Sequence, residues 1–240
     1  VIIHRVAQET PEWLQLRLGL PTASEFFKIL SPGGKKSDQR DAYMYRLLAE
    51  KITGAPLENV ETKWMHRGQE EQDSAIRAYE LMTEMETDQI GFITNDLGTY
   101  GCSPDRLVGE RGLAEFKTPL AQTQIAYLLA KKPRTPDEKY KPQLQGQLLV
   151  AERDWVDIFA WHPTLASVLI RAERDEEYIA LLENALKEFV DLFQDRYFYL
   201  DSMYGPFVRA APQVQEDPYG LTQQDIDDII ADKFGAQCQQ

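Results

Sequence analysis

Gly101-Cys102-Ser103-Pro104-Asp105 and, ten positions beyond Asp105, Glu115-Phe116-Lys117 decide how this chain is read. Asp105 opens one short β-patterned segment, Arg106-Leu107-Val108, and Glu115 and Lys117 stand two apart on the next. Side chains alternate across a strand, so a spacing of two puts Glu115 and Lys117 on one face. The turn Gly109-Glu110-Arg111-Gly112 brings Asp105 across from them. Two carboxylates converging on a strand pair form a hard-oxygen site suited to Mg2+ or Mn2+, with the Phe116 carbonyl as a third protein ligand. Lys117 beside them orients a water and helps to deprotonate it, or holds charge developing on a phosphate, a set suited to metal-assisted phosphodiester hydrolysis. The same residues also suit a charged, solvated hairpin face, because short patterns of this kind recur by chance.

On either side of this stretch the periodicity changes. Pro11 to Leu18 reads as a short helix with proline in its first turn. Thr22-Ala23-Ser24 reads as an N-cap for a helix over Glu25 to Leu30, which the turn Ser31-Pro32-Gly33-Gly34-Lys35-Lys36 ends. Helical spacing covers 38–53, with Tyr43, Leu47, Leu48 and Ile52 apolar and Gly54 as the stop, and it returns over 63–83. Ile90 to Ile93, Tyr100 to Cys102, Arg106 to Val108 and Leu113 to Phe116 then read as an antiparallel meander. Helices over about 120–131 and 139–150, strands over Trp155 to Trp161 and Ser167 to Ala172, and a long amphipathic helix over 175–199 complete the order. The expectation is one α/β domain over 1–212, its helices flanking a sheet. An acidic appendage over 213–240 follows, with a short helix from Thr222 and a capping box to Asp225.

The chain has 240 residues, 26 basic and 39 acidic, for a formal charge of −13. That excludes a generally basic nucleic-acid coat, although net charge describes the distant field rather than a local groove. Cys102 and Cys238 make no disulfide framework, and His4, His66 and His162 are scattered singly, so a zinc cage or a Cys/His nucleophile pair has little support. No apolar run approaches the roughly 18 to 20 residues of a membrane span, and the first residues lack the pattern of a signal peptide. The expected location is the cytoplasm of a bacterial or phage-infected cell.

Pro104-Asp105 and Glu115-Phe116-Lys117 resemble the PD-(D/E)xK nuclease signature. Leu16-Arg17-Leu18-Gly19, then Thr22-Ala23-Ser24, then Arg67-Gly68 opening a Glu-rich helix, then Cys102 to Asp105, then Tyr140-x-x-Gln143-x-Gln145 occur in an order similar to that of the YqaJ-type viral recombination nucleases, the lambda-exonuclease family. The resemblance runs from about residue 11 to about residue 190. It implies a restriction-endonuclease-like α/β core with a mixed central sheet flanked by helices. The implied activity is a 5′-to-3′ exonuclease, a homotrimeric ring that digests linear double-stranded DNA from a 5′-phosphorylated end. It leaves a 3′ single strand for recombination with a single-strand annealing protein, and needs no membrane.

By the same resemblance Asp105 and Glu115 hold Mg2+, two ions per site with Mn2+ as a substitute, helped by the Phe116 carbonyl, and Lys117 activates water. Arg17, Ser24 and Ser103 match the family's 5′-phosphate pocket, for which a forked guanidinium and two hydroxyls are suitable chemistry. An ordinary N-cap for Ser24 and a surface ion pair for Arg17 are the plainer alternatives. Lys35 and Lys36 fall where the family parts the strands, and a solvent loop is the other reading. Met65 falls where the family carries an apolar wedge, and a core methionine is the other reading. Tyr140 and Gln143 share a helix face, from which Gln143 orients Lys117 or meets the DNA backbone; packing at the core edge is the alternative. With Lys28, Lys63, Arg67 and Lys131 to Arg134, these cations are expected to face the substrate while the acids lie outside.

Gln72 departs from the pattern. The family places a metal-directed glutamate four residues after the glycine at 68, and this chain has an amide there. A neutral oxygen supplies no charge to a second ion and no base. Either Glu71 takes over through a local shift or the site is weakened, and the second is the expectation. Two rival readings follow: a DNA-end-binding form of the same fold with impaired turnover, and an acidic interaction protein that imitates DNA. The latter gives Lys117 no task.

Overall fold

The computed structural model describes residues 1–57, 63–130 and 137–204, of which 63–70 in backbone only. The chain divides into two units, Val1–Pro206 and Phe207–Gln240. The appendage at 213–240, the Met65 side chain and Lys131 to Arg134 lie outside the described residues. Among the described residues no helix is long and apolar enough to cross a membrane.

Within the described residues the expected helices form, the one over Glu25 to Leu30 as a 3-10 helix. Pro11–Arg17 (α1) is capped by Thr10, whose hydroxyl accepts from Trp13 N, with proline at the first position. Arg40–Thr53 (α2) buries Tyr43, Met44, Leu47 and Leu48 and stops at Gly54, whose φ of 71° is the left-handed conformation that ends helices. Lys63–Thr83 (α3), Ala121–Leu129 (α4) and Lys141–Ala151 (α5) follow, and Glu176–Tyr204 (α6) closes the described chain. The buried face of α6, Tyr178, Ile179, Leu182, Ala185, Leu186, Phe189 and Phe193, keeps the three-and-four spacing of an amphipathic helix. Burying each large apolar side chain of that face contributes roughly 1.5 to 3 kcal/mol before entropy is counted.

The strands depart from the meander. Ile2–His4 (β1), Phe92–Thr94 (β3) and Gly101–Cys102 (β4) form one small sheet, whereas Thr87–Gln89 (β2), Arg106–Val108 (β5), Gly112–Lys117 (β6), Trp155–His162 (β7) and Leu165–Glu173 (β8) form another in the order β2-β5-β6-β7-β8. β6 and β7 are parallel and the other neighbours antiparallel, so the larger sheet is mixed. Pro104 accounts for the break: it has no N–H for a ladder, so pairing lapses and the chain passes from one sheet to the other. Gln8 seals this junction by donating to the carbonyls of Ile90 and Pro104, each at 2.9 Å.

β6 is covered on both faces, as a central strand with a parallel neighbour should be. Ala114 and Phe116 face a cluster with Tyr79 of α3 and Phe159 of β7. The rings of Tyr79, Phe116 and Phe159 meet edge to face at 5.5 to 6.2 Å. Leu113 belongs to the main core on the other face, with residues of α2, α5 and α6. α5 is seated closely there, because a Cβ on Gly146 would lie 2.4 Å from the Phe26 ring.

Candidate active site

The register Arg106↔Ala114 and Leu107↔Leu113, continued by one step, sets Asp105 opposite Glu115. Beyond the ladder the Phe116 N–H is taken by the Asp105 carboxylate, which accepts at 2.7 Å. Lys117 Nζ donates to Glu115 Oε2 at 3.0 Å, as the two-residue spacing requires. Gln143 Nε2 donates to the same oxygen at 3.2 Å, and Gln147 Nε2 donates to Oε1 at 2.6 Å. Glu115 is 3 % exposed, so these donors replace the water it has lost. The solvated-hairpin alternative fails on that burial.

Two acids and one ammonium leave this cluster one negative charge in excess. Burial, and then repulsion from Glu115, push the Asp105 carboxyl up to about 7 against the pull of Lys117 and the Phe116 N–H. Glu115 holds Lys117 above the ordinary lysine range despite burial, so Lys117 is an ammonium rather than a free base. Hard oxygen donors short of one cation fit Mg2+ or Mn2+, with Asp105, Glu115 and the Phe116 carbonyl as the residues to hold it. No third Asp, Glu, His or Cys joins this pair among the described residues. Gln72, half-buried on α3, makes no hydrogen bond to Asp105, Glu115 or Lys117 among the described residues.

Two residues upstream of Asp105 a second polar group is built. Ser103 Oγ accepts from Arg17 Nη1 at 3.1 Å and from Trp13 Nε1 at 3.0 Å, so its own O–H remains to donate elsewhere. Arg17 stacks on the Trp13 ring at 4.2 Å, and burial pulls its guanidinium below the ordinary arginine value. No carboxylate ion-pairs with it among the described residues, which removes the surface-pair alternative and leaves a cation suited to an anion. A cavity of about 200 Å³ lies alongside, lined in part by Trp13, Arg17, Thr22, Glu25, Arg46 and Glu50.

Other expected residues are placed differently. Thr22, without a side-chain capping bond, occupies the N-cap of a 3-10 helix, Ala23–Lys28, so Ser24 lies inside that helix and is no cap; it is exposed, its hydroxyl bonded to that of Thr22 at 3.4 Å. Lys28 is engaged by Glu25 at 2.6 Å and Lys36 by Glu188 at 2.7 Å, while Lys35 is exposed. Tyr140 ends a 3-10 turn, Glu138–Tyr140, and stands at the N-cap of α5, three residues before Gln143; it acts electrostatically on Lys117, whose partner Glu115 Gln143 also bonds. Cys102 is fully buried and burial pushes its thiol up, which suits packing rather than chemistry. Gln147 and Trp13 were missed, and the only sequence signal for Gln147 is its four-residue step from Gln143.

The family model of the YqaJ-like viral recombinase domain matches residues 12–154. An alkaline exonuclease, LHK-Exo, from Laribacter hongkongensis is 30% identical, with a TM-score of 0.70 over 80% of this chain and 97% of that one. Its structure in complex with dAMP gives a TM-score of 0.71 at the same identity and coverage. A phage related exonuclease from Haemophilus somnus, 16% identical, shares the fold with a TM-score of 0.53 over 85% of this chain and 98% of that one. A comparison with curated proteins gives no match. The mixed sheet flanked by helices is the expected PD-(D/E)xK-like core. With its carboxylate pair, its lysine and this match over more than half its length, the chain belongs to the YqaJ-like viral recombinase domain family.

Proposed function

We propose that the chain is a Mg2+-dependent exonuclease that digests linear double-stranded DNA 5′ to 3′ from a 5′-phosphorylated end, leaving 3′ single strand for recombination. The observation that carries this reading is the meeting of Asp105, Glu115 and Lys117 two residues along the chain from the Arg17–Ser103 pair. A terminal phosphate is bound by the Arg17 guanidinium and the free Ser103 O–H, which sets the next linkage near the acids. Lys117, held as an ammonium, stabilises negative charge on the phosphoryl oxygens, and Asp105 orients the attacking water. Bound Mg2+ supplies Lewis-acid polarisation of the phosphate and lowers the pKa of a water. A homotrimer, a single-strand annealing partner and a cytoplasmic setting complete the proposal and rest on the family resemblance.

Digestion of linear duplexes ending in 5′-phosphate or 5′-hydroxyl, with Mg2+ or Mn2+, tests it. The phosphate end is expected to be preferred, and Arg17→Ala to erase the preference. No digestion with either ion would sink the activity, and equal rates on both ends would sink the pocket.

A weakened site is favoured by one observation, the absence of a third acid beside the pair among the described residues. Gln72→Glu is then expected to raise the turnover about tenfold, the scale on which groups around a metal site act. A turnover equal to that of the parent chain would remove this reading.

A further inference from the structure

Three glutamines stand at alternate positions on α5, and they divide between two tasks. Gln143 and Gln147, one turn apart, share a face, and Gln145 points away from it. Gln145 ties α5 to the connection between β8 and α6: its Nε2 donates to the Glu173 carbonyl at 2.9 Å and its Oε1 accepts from Asp175 N at 2.8 Å. Gln147 instead donates to Glu115 Oε1 at 2.6 Å. Lys117 and Gln143 both reach the other oxygen, Oε2.

We propose that Gln147 is a positioning residue: by holding Oε1 while Lys117 and Gln143 hold Oε2, it fixes the plane of the Glu115 carboxylate and so the direction in which the remaining lone pair is presented to a divalent cation. This rests on the reading of the acid pair as a cation site. The terminal torsion of a glutamate is broad, so donors gathered on one oxygen leave the carboxylate free to swing about it. Among the described residues Gln147 alone donates to Oε1. Its helix is anchored by the close seating of Gly146 on Phe26, and Gln147 itself is 2 % exposed, so the donor has little room to move. The Gln147 Oε1 is buried without a partner, a cost that an apolar side chain of the same size would avoid. A residue serving packing alone would not carry that cost.

The test compares the full chain with Gln147→Met, of similar volume without the donor, and Gln147→Asn, one methylene too short to span the contact. Mn2+ binding is measured by calorimetric titration of folded protein, together with kcat and KM on a linear duplex. Both variants are expected to bind Mn2+ about tenfold more weakly or worse and to lose kcat by a similar factor, with KM for DNA unchanged. Gln145→Met is expected to lower the melting midpoint and leave Mn2+ affinity intact. Parental Mn2+ affinity in either folded Gln147 variant would overturn the positioning role. Absence of Mn2+ binding in the parent chain would instead overturn the cation site, and this inference with it.

Discussion

Two buried carboxylates on neighbouring strands face opposite sides of one sheet and have different fates. Asp157 of β7, fully buried, is closed by Arg171 Nε at 2.8 Å on one oxygen, and by Arg171 Nη2 and the Tyr79 hydroxyl, each at 2.8 Å, on the other. Arg171 also stacks on Trp155 at 3.6 Å. Charges cancel there and each carboxylate oxygen is satisfied, so nothing is left to recruit a ligand. On the α5 side Glu115 shares its one cation with Asp105, and the pair is left short of positive charge. A balanced site braces the fold; the unbalanced one is where we propose that a cation and a phosphate bind.

The largest expected effect separates the two lysine-or-arginine partners by activity. Lys117→Ala is expected to lower the rate of duplex digestion per folded molecule by about 10² to 10³, the scale for removing one charge-stabilising donor, and, because it strands the buried Glu115, to lower the melting midpoint as well. A folded Lys117→Ala protein that digests DNA at the parental rate would place this lysine with Arg171, as a brace.

The complementary experiment breaks the balanced side. Arg171→Met strands a charge at Asp157 and is expected to cost about 3 kcal/mol of stability, the low end for a broken buried pair because Arg171 is partly exposed. Chemical denaturation reads the loss, while turnover per folded molecule is expected to stay unchanged.

The smallest effect sharpens the contrast through pH. Asp105 titrates at about 7 in the folded chain, well above its ordinary 3.8, so the folded state holds that proton more tightly than the unfolded one. The cost of burying its charge is therefore absent below the ordinary value, grows as pH rises, and is complete above 7. In metal-free buffer Asp105→Asn is expected to stabilise the protein at pH 8 by about 2 kcal/mol after allowance for screening, and to change little at pH 4. Digestion is lost in the same variant. Equal melting midpoints for parent and variant at pH 8 would show that Asp105 carries no such cost.

Much of the site was legible because it is local. Glu115 and Lys117 share a face through strand alternation, and the 109–112 turn returns Asp105 to them, relations set within thirteen residues. The helices were legible for a similar reason: α2 and α6 write their buried faces in three-and-four spacing, and Gly54 marks a stop. The meander was misread because the proline at 104 was weighed as part of a motif and not as a missing N–H. Thr22-Ala23-Ser24 was read as supplying an N-cap, and Thr22 takes that place, which removes the plainer alternative for Ser24.

Periodicity and motif spacing thus settle the kinds of element, the order of the helices and the acid–acid–lysine cluster, since each depends on neighbours a few residues away. Packing alone brings Gln147 to Glu115 across 32 residues, joins Arg17 to Ser103 across 86, and sets the exposed Lys36 beside Glu188. Those partners are chosen by how helices seat on a sheet, down to a glycine beneath the Phe26 ring, and no pattern within one element carries that information.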